Sequence, residues 1–252
     1  MRSSIANASM SFPAAALIAL AISVAVAACG GSGDGGGDDE GDEGDVDSGL
    51  GPQCGFAGDD FLPYAVGYRW SYRITDLESG ERTVKDQRID PEMNHPKYGP
   101  VVVQVTGKIN GETISLSRRE GDRVLRFQQE DRDENGALER TTIYEPPQIR
   151  IDETSEHLAV GAEWDEAYTE IELDPKGTEV QRTETIDHIE VIGDDDRCDS
   201  PMGEFRCLRF RRTRIAGGVA EKEFQFARGI GKIREIGGNQ LEELTDCRTG
   251  GP

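Results

Sequence analysis

The sequence predicts an all-β fold, an antiparallel meander of about ten to twelve strands forming a curled sheet, sandwich or barrel, with no substantial helix outside a signal peptide. Three observations carry this. Turn signals recur: "ESG" ending at Gly80, Asn110-Gly111, "EGD" from Glu120, Asn135-Gly136, "DPKG" from Asp174, "GG" at Gly217 and "GGN" from Gly237. Asn-Gly between apolar alternations is the clearest short hairpin signal, because both central turn positions need positive φ. Between the turns, apolar and polar residues alternate with the period of a half-buried strand. No long stretch has helical periodicity.

The strands follow in order. Tyr68, Trp70, Tyr72 and Ile74 share one face, with Arg69, Ser71, Arg73 and Thr75 on the other. Val101, Val103 and Val105 repeat the pattern, as do Ile114 with Leu116, Leu125 with Phe127, Leu208 with Phe210, and Phe224 with Phe226. One apolar and one polar face imply antiparallel strands covering a core on one side. The short helical candidates are Asp152 to Ala159 and Gln240 to Leu244. "AVGYRWSY" from Ala65 is echoed by "AVGAEWDEAY" from Ala159, 94 residues later. In both, a glycine supplies a bend before a strand with an inward tryptophan. The second copy departs after Trp164, where Ala167, Ile171 and Leu173 take the opposite parity. A bulge would restore the register; chance similarity would leave two similar halves unsupported.

The N-terminus carries a separate signal. Met1 and Arg2 precede an apolar run from Ala14 to Ala28, 15 residues long, short of the ~18–20 needed to span a bilayer. A positive start, an apolar middle and small residues at the end describe a secretory signal peptide over 1–28. Val26-Ala27-Ala28-Cys29 resembles the lipobox of bacterial lipoproteins. The resemblance implies a diacylglyceryl group on the Cys29 sulfur, cleavage before it, and an anchor in the cell envelope. Gly30 in place of aspartate after the cysteine favours the outer membrane by the same resemblance. The alternative is cleavage after Ala25-Val26-Ala27 and a soluble exported chain.

Residues 29–53 form the anchor and a stalk. Eight acids and no base fall between residues 30 and 50, a composition unable to bury enough apolar surface to offset chain entropy. The 23 residues from Gly30 to Pro52 reach roughly 25 Å as a coil and about 75 Å extended. The chain's net charge is −21. Setting aside Arg2 and the stalk acids leaves 27 basic and 41 acidic residues. So acidic a body excludes nucleic acid as a partner, since that affinity comes from neutralised phosphates. Residues 54–247 make a single all-β domain and 248–252 a tail.

Five cysteines leave four once Cys29 serves as the anchor. Export favours oxidation, and the expected bridges are Cys198 with Cys207, across a turn, and Cys54 with Cys247, joining the domain's ends; buried free thiols are the alternative. Zinc is disfavoured by spacing, with no paired cysteines two residues apart and with His95, His157 and His188 scattered. Asp131, Asp133 and Asn135 match the start of a calcium loop, but Thr142 stands where the bidentate glutamate belongs, so a hairpin turn is the expected reading. "FRCLRFRRTRI" from Phe205 is the one basic strand. Its arginines are expected to pair with Asp187, Glu190, Glu221 or Glu223; the sharper alternative is an anion site.

Nucleophile elbow, phosphate loop and dinucleotide fingerprint are missing, and no cofactor is implied. The segments "LPYAVGYRWSY" and "FARGIGKIREI" (Phe226 to Ile236) resemble a group of uncharacterised exported bacterial β-proteins, a resemblance that carries no activity. The functional expectation is a lipid-anchored, non-catalytic envelope module, either structural or binding a small apolar ligand or an envelope protein. Its candidate ligand-binding residues, Trp70, Tyr72, Phe127 and Phe210, would line an apolar cup. A carboxylate-dependent hydrolase is the competing class.

Overall fold

The computed structural model describes residues 54–218 and 220–250. The signal peptide, Cys29 and the acidic stalk lie outside the described residues. Twelve strands follow in order: β1 (Tyr68–Asp76), β2 (Arg82–His95), β3 (Gly99–Lys108), β4 (Gly111–Glu120), β5 (Arg123–Arg132), β6 (Leu138–Asp152), β7 (Glu163–Leu173), β8 (Glu179–Ser200), β9 (Gly203–Ala216), β10 (Ala220–Ala227), β11 (Gly231–Gly237) and β12 (Gln240–Thr249). Each pairs antiparallel with the next, and β1 pairs with β12 to close a barrel. Closure removes both sheet edges. One helical turn, α1 (Ser155–Leu158), falls in the first helical candidate. The second, Gln240 to Leu244, is strand: its backbone bonds to β11 on one side and β1 on the other.

In such a meander all odd strands start at the same end, here called the base. The opposite end, the rim, carries the tight turns that the sequence marked at Gly80, Asn110, Asn135, Asp174, Gly217 and Gly238. The base is plugged by the segment before β1. Phe56 stacks on Tyr68 with ring centres 4.1 Å apart and meets Trp70 edge-on at 5.1 Å. Phe61 is buried with Val124, Ile151, Leu208 and Phe226. The Glu153 carboxylate accepts from the Phe61 N–H at 3.0 Å, and Arg119 donates to the Leu62 carbonyl at 2.8 Å. Two disulfides fasten this end, Cys54–Cys247 and Cys198–Cys207, the pairs the spacing suggested.

The two Ala-Val-Gly segments are the same turn. Gly67 and Gly161 have φ of 89° and 84°, the left-handed region where a side chain is strained. Tyr68 N–H donates to the Ala65 carbonyl, and Ala162 N–H to that of Ala159. Gly67 N–H then reaches Ile89 on β2, as Gly161 N–H reaches Val191 on β8. The turns precede β1 and β7, which lie opposite each other in the ring. β7 needs no bulge: its register with β8 is unbroken from Glu163 to Glu172. Glu166 and Tyr168 are buried while Ala167 faces out, so polar residues take the inward positions.

One assignment of faces is reversed. On β3, β4 and β5 the inward positions are Gln104, Thr106, Thr113, Ser115 and Arg126. Val101, Leu116 and Phe127, with Val103, Ile114 and Leu125, therefore pack on the outside. They are covered there by Tyr98, whose ring lies 5.0 Å from Phe127, and by the Arg118 guanidinium, 4.9 Å above Phe127. Lys97 of the same hairpin bonds Glu145 at 2.7 Å.

Candidate functional site

The barrel encloses a lumen of about 470 Å³, within the usual range of small-molecule sites. Its apolar lining lies toward the base: Leu62, Tyr64, Trp70, Tyr72, Ile89, Phe224 and Phe226. Tyr64 donates to the Gln104 side chain at 3.0 Å, and burial raises its pKa. Trp70 donates to the Ile230 carbonyl at 2.7 Å, directly over Gly231. At Gly231 φ is +107° and a Cβ would lie 3.2 Å from the indole nitrogen. The two segments quoted for the resemblance, around Trp70 and Gly231, thus meet at the base.

The rest of the wall is polar. Amides and hydroxyls come from Gln87, Gln104, Thr106, Thr113, Ser115, Gln129 and Gln148. Eight lysine and arginine side chains line the lumen, against one carboxylate, Glu235. Five of the eight are held by carboxylates. Lys85 bonds Glu242, and Lys232 bonds both Glu235 and Glu242. Lys222 bonds Glu235 at 2.6 Å, and Lys108 bonds Asp131 at 2.8 Å. Arg214 bonds Asp187 at 3.0 Å and Glu170 at 3.1 Å. Burial alone would pull Lys232 down, but Glu235 and Glu242 hold it above the usual lysine range. Burial opposes Glu235 ionising too, yet Lys232 and Lys222 hold its carboxyl well below the usual range.

Arg126, Arg150 and Arg212 differ. Arg126 donates to the neutral amides of Gln129 and Gln148 and lies 4.5 Å over the Tyr144 ring. Arg212 donates to the Ile149 carbonyl at 2.9 Å and is 3.7 Å from Glu166. Burial pushes the Glu166 carboxyl up to about 7 against the pull of Arg212, so at neutral pH it offsets only part of that charge. Arg150 has no hydrogen bond or ion pair to its guanidinium among the described residues. Burial, with the like charges of Arg126 and Arg212, pulls its pKa down to about 10, which still leaves it a cation at neutral pH.

Two bulges put these groups there. Leu125 pairs with Ile149 and Val124 with Ile151, so Arg150 is the extra residue of a bulge in β6. Phe127 is the extra residue of a bulge against β4, between Arg126 and Gln128. A bulge re-aims side chains and bends the strand. Beyond Glu145, β6 separates from β7, whose pairing ends at Thr169. Side chains serve Ile149 there: Glu166 accepts from its N–H, and Arg212 donates to its carbonyl.

The remaining candidates fall elsewhere. Asp131 and Asp133 are not brought together. Asp131 is buried, bonded by Lys108, Thr113 and Arg140, with its pKa lowered to about 2. Asp133 is exposed and accepts from the N–H groups of Asn135 and Ala137 inside the hairpin turn. Of the apolar-cup residues, Trp70 and Tyr72 line the lumen, Phe210 packs with Phe224 and Phe226, and Phe127 is outside. The cup is therefore apolar only toward its base. The basic strand β9 pairs largely as expected, Arg211 with Glu190 and Arg209 with Glu223, while Arg212 and Arg214 turn inward. Lys85, Arg126 and Arg150 drew no attention in the sequence, where each reads as a solvated residue. The carboxylates Glu166 and Asp187 face each other across β7 and β8. Asp187 is taken by Arg214 and Tyr168, and Glu166 borders a gap of about 20 Å³, too small for a sugar.

No protein-family model matches the chain, and no curated protein matches it. The fold is shared with a solved structure from Bacteroides fragilis. That protein, inferred to be exported and described as having a YmcC-like fold, is 15% identical with a TM-score of 0.50, the match covering 75% of this chain and 99% of that one. A second structure, from Parabacteroides distasonis and inferred to be a lipoprotein, is 10% identical with a TM-score of 0.40, covering 76% and 100%. At this identity the first shows a common fold, and the second is too different in shape to add to it.

Proposed function

We propose that this chain is an exported cell-envelope protein, lipidated at Cys29 and carried on the acidic stalk in the outer membrane, and that it is a non-catalytic binding module whose site is the barrel lumen. One observation carries the binding role. A barrel plugged at its base surrounds a space large enough for a small molecule and lined by convergent polar groups. Envelope placement is supported by the seam at Val26 to Cys29 and by the inferred export of the Bacteroides fragilis protein that shares the fold. The barrel wall itself does not suit a bilayer, since the outward positions of β1 and β2 include Arg69, Ser71, Arg73, Asp86 and Arg88.

Two measurements test this reading. Intact mass of the membrane-extracted protein should show acyl chains that Cys29→Ser abolishes; an unacylated wild type would remove the anchor. Native mass spectrometry of the same preparation should show a bound small molecule that is lost when Thr106→Trp fills the lumen. Retention of that molecule by the filled variant would remove the lumen as the site.

A further inference from the structure

In a body with 41 acidic and 27 basic residues, three arginines converge on the lumen, and among the described residues no carboxylate bonds two of them, Arg126 and Arg150. Arg126 is held by amides, Arg212 by a carbonyl with the Glu166 carboxylate at 3.7 Å, and the Arg150 guanidinium by no hydrogen bond or ion pair among the described residues. Arg150 is half-buried and lines the cavity. A guanidinium drawn partly out of water without a counter-charge is unfavourable, and proteins normally pair it. Acids are abundant here and neutralise the five neighbouring cations of the same wall. The missing partner is best supplied from outside.

Resting on the reading of the lumen as a binding site, we propose that it takes a small hydroxylated oxyanion, a sugar phosphate or a sugar acid, with the anionic group on Arg126, Arg150 and Arg212. Guanidinium forks match the paired oxygens of a phosphate or carboxylate. Gln104, Thr106, Thr113, Ser115 and Gln129 present donors and acceptors suited to hydroxyl groups. Tyr64 and Trp70 offer aromatic surface toward the base. A long acyl chain has no counterpart among these groups.

Isothermal titration of the full-length protein in detergent, with glucose 6-phosphate, glucuronate, inorganic phosphate and glucose as probes, tests this. One of the first two should bind, glucose should not, and the tighter of the two identifies phosphate or carboxylate as the group held. Arg150→Met should weaken binding about tenfold or more and raise the thermal midpoint of the ligand-free protein, because an unpaired, half-buried charge is gone. A purely structural arginine would lower that midpoint. Arg150→Gln, with its fold checked by circular dichroism, repeats the measurement should the methionine variant misfold. Undiminished binding by both variants, equal affinity for glucose, or no binding of either anion at ~1 mM overturns the anion assignment. The lumen remains the site in those cases if Thr106→Trp still displaces the co-purified molecule, and fails with it otherwise.

Discussion

Replacing Glu166 by glutamine should stabilise the protein at alkaline pH and leave it nearly unchanged in acid. Glu166 lies in the seam where β6 leaves β7, 7% exposed, accepting from the Ile149 N–H with Arg212 at 3.7 Å. Arg126 and Asp187 act on it as charges, and Arg150, Asp152 and His157 line the same small gap. Burial dominates and moves the carboxyl from 4.5 to about 7. Between those values the folded protein binds more protons than the unfolded chain, so this group makes stability fall as pH rises through the window. At 1.36 kcal/mol per pKa unit the full penalty is about 3 kcal/mol at pH 8 and ~1 kcal/mol at pH 5. Glutamine keeps an oxygen for Ile149 and has no charge to bury. Urea unfolding of both proteins from pH 5 to pH 8 should show the variant's advantage growing with pH. An advantage independent of pH, or a variant less stable at pH 8, would refute the argument that the carboxylate is forced to ionise in a dry seam.

Three further outcomes follow from the geometry. Trp70→Ala should cost about 3–5 kcal/mol in urea unfolding, because the indole is 4% exposed and bonds the Ile230 carbonyl; a loss under ~1 kcal/mol would mean the base plug does not depend on it. Removing the Cys54–Cys247 bridge by a double alanine substitution should cost on the order of 5 kcal/mol in the chain-entropy account, since it closes 194 residues, and removing Cys198–Cys207 should cost roughly half that; equal losses would show that loop length is not what matters. Asp131→Asn should destabilise by about 2 kcal/mol at neutral pH. Lys108, Arg140 and Thr113 lower that carboxyl to about 2, so the difference should fade as pH drops from 3.8 toward 2, and a difference that persists in acid would assign it to lost packing.

The sequence by itself determined the strands, their turns and their antiparallel order, because period-two alternation and glycine-bearing turns are local properties of the backbone. The cysteine pairs could also be read, one from a short span across a turn and the other from the meeting of the chain's ends. The echo of Ala65-Val66-Gly67 in Ala159-Val160-Gly161 was visible for the same reason, since the turn is made by those residues alone. Only the tertiary structure decided which face of each strand is inside. Alternation distinguishes two faces without naming them, so Val101, Leu116 and Phe127 read as core although a hairpin covers them from outside. Bulges at Phe127 and Arg150 have no mark in composition, yet they set where Arg126 and Arg150 point. Charge is likewise a sum along the chain until closure sorts it. An acidic sequence then folds with a cationic lumen wall, because β5, β6 and β9 direct three arginines to a place where no carboxylate bonds Arg126 or Arg150.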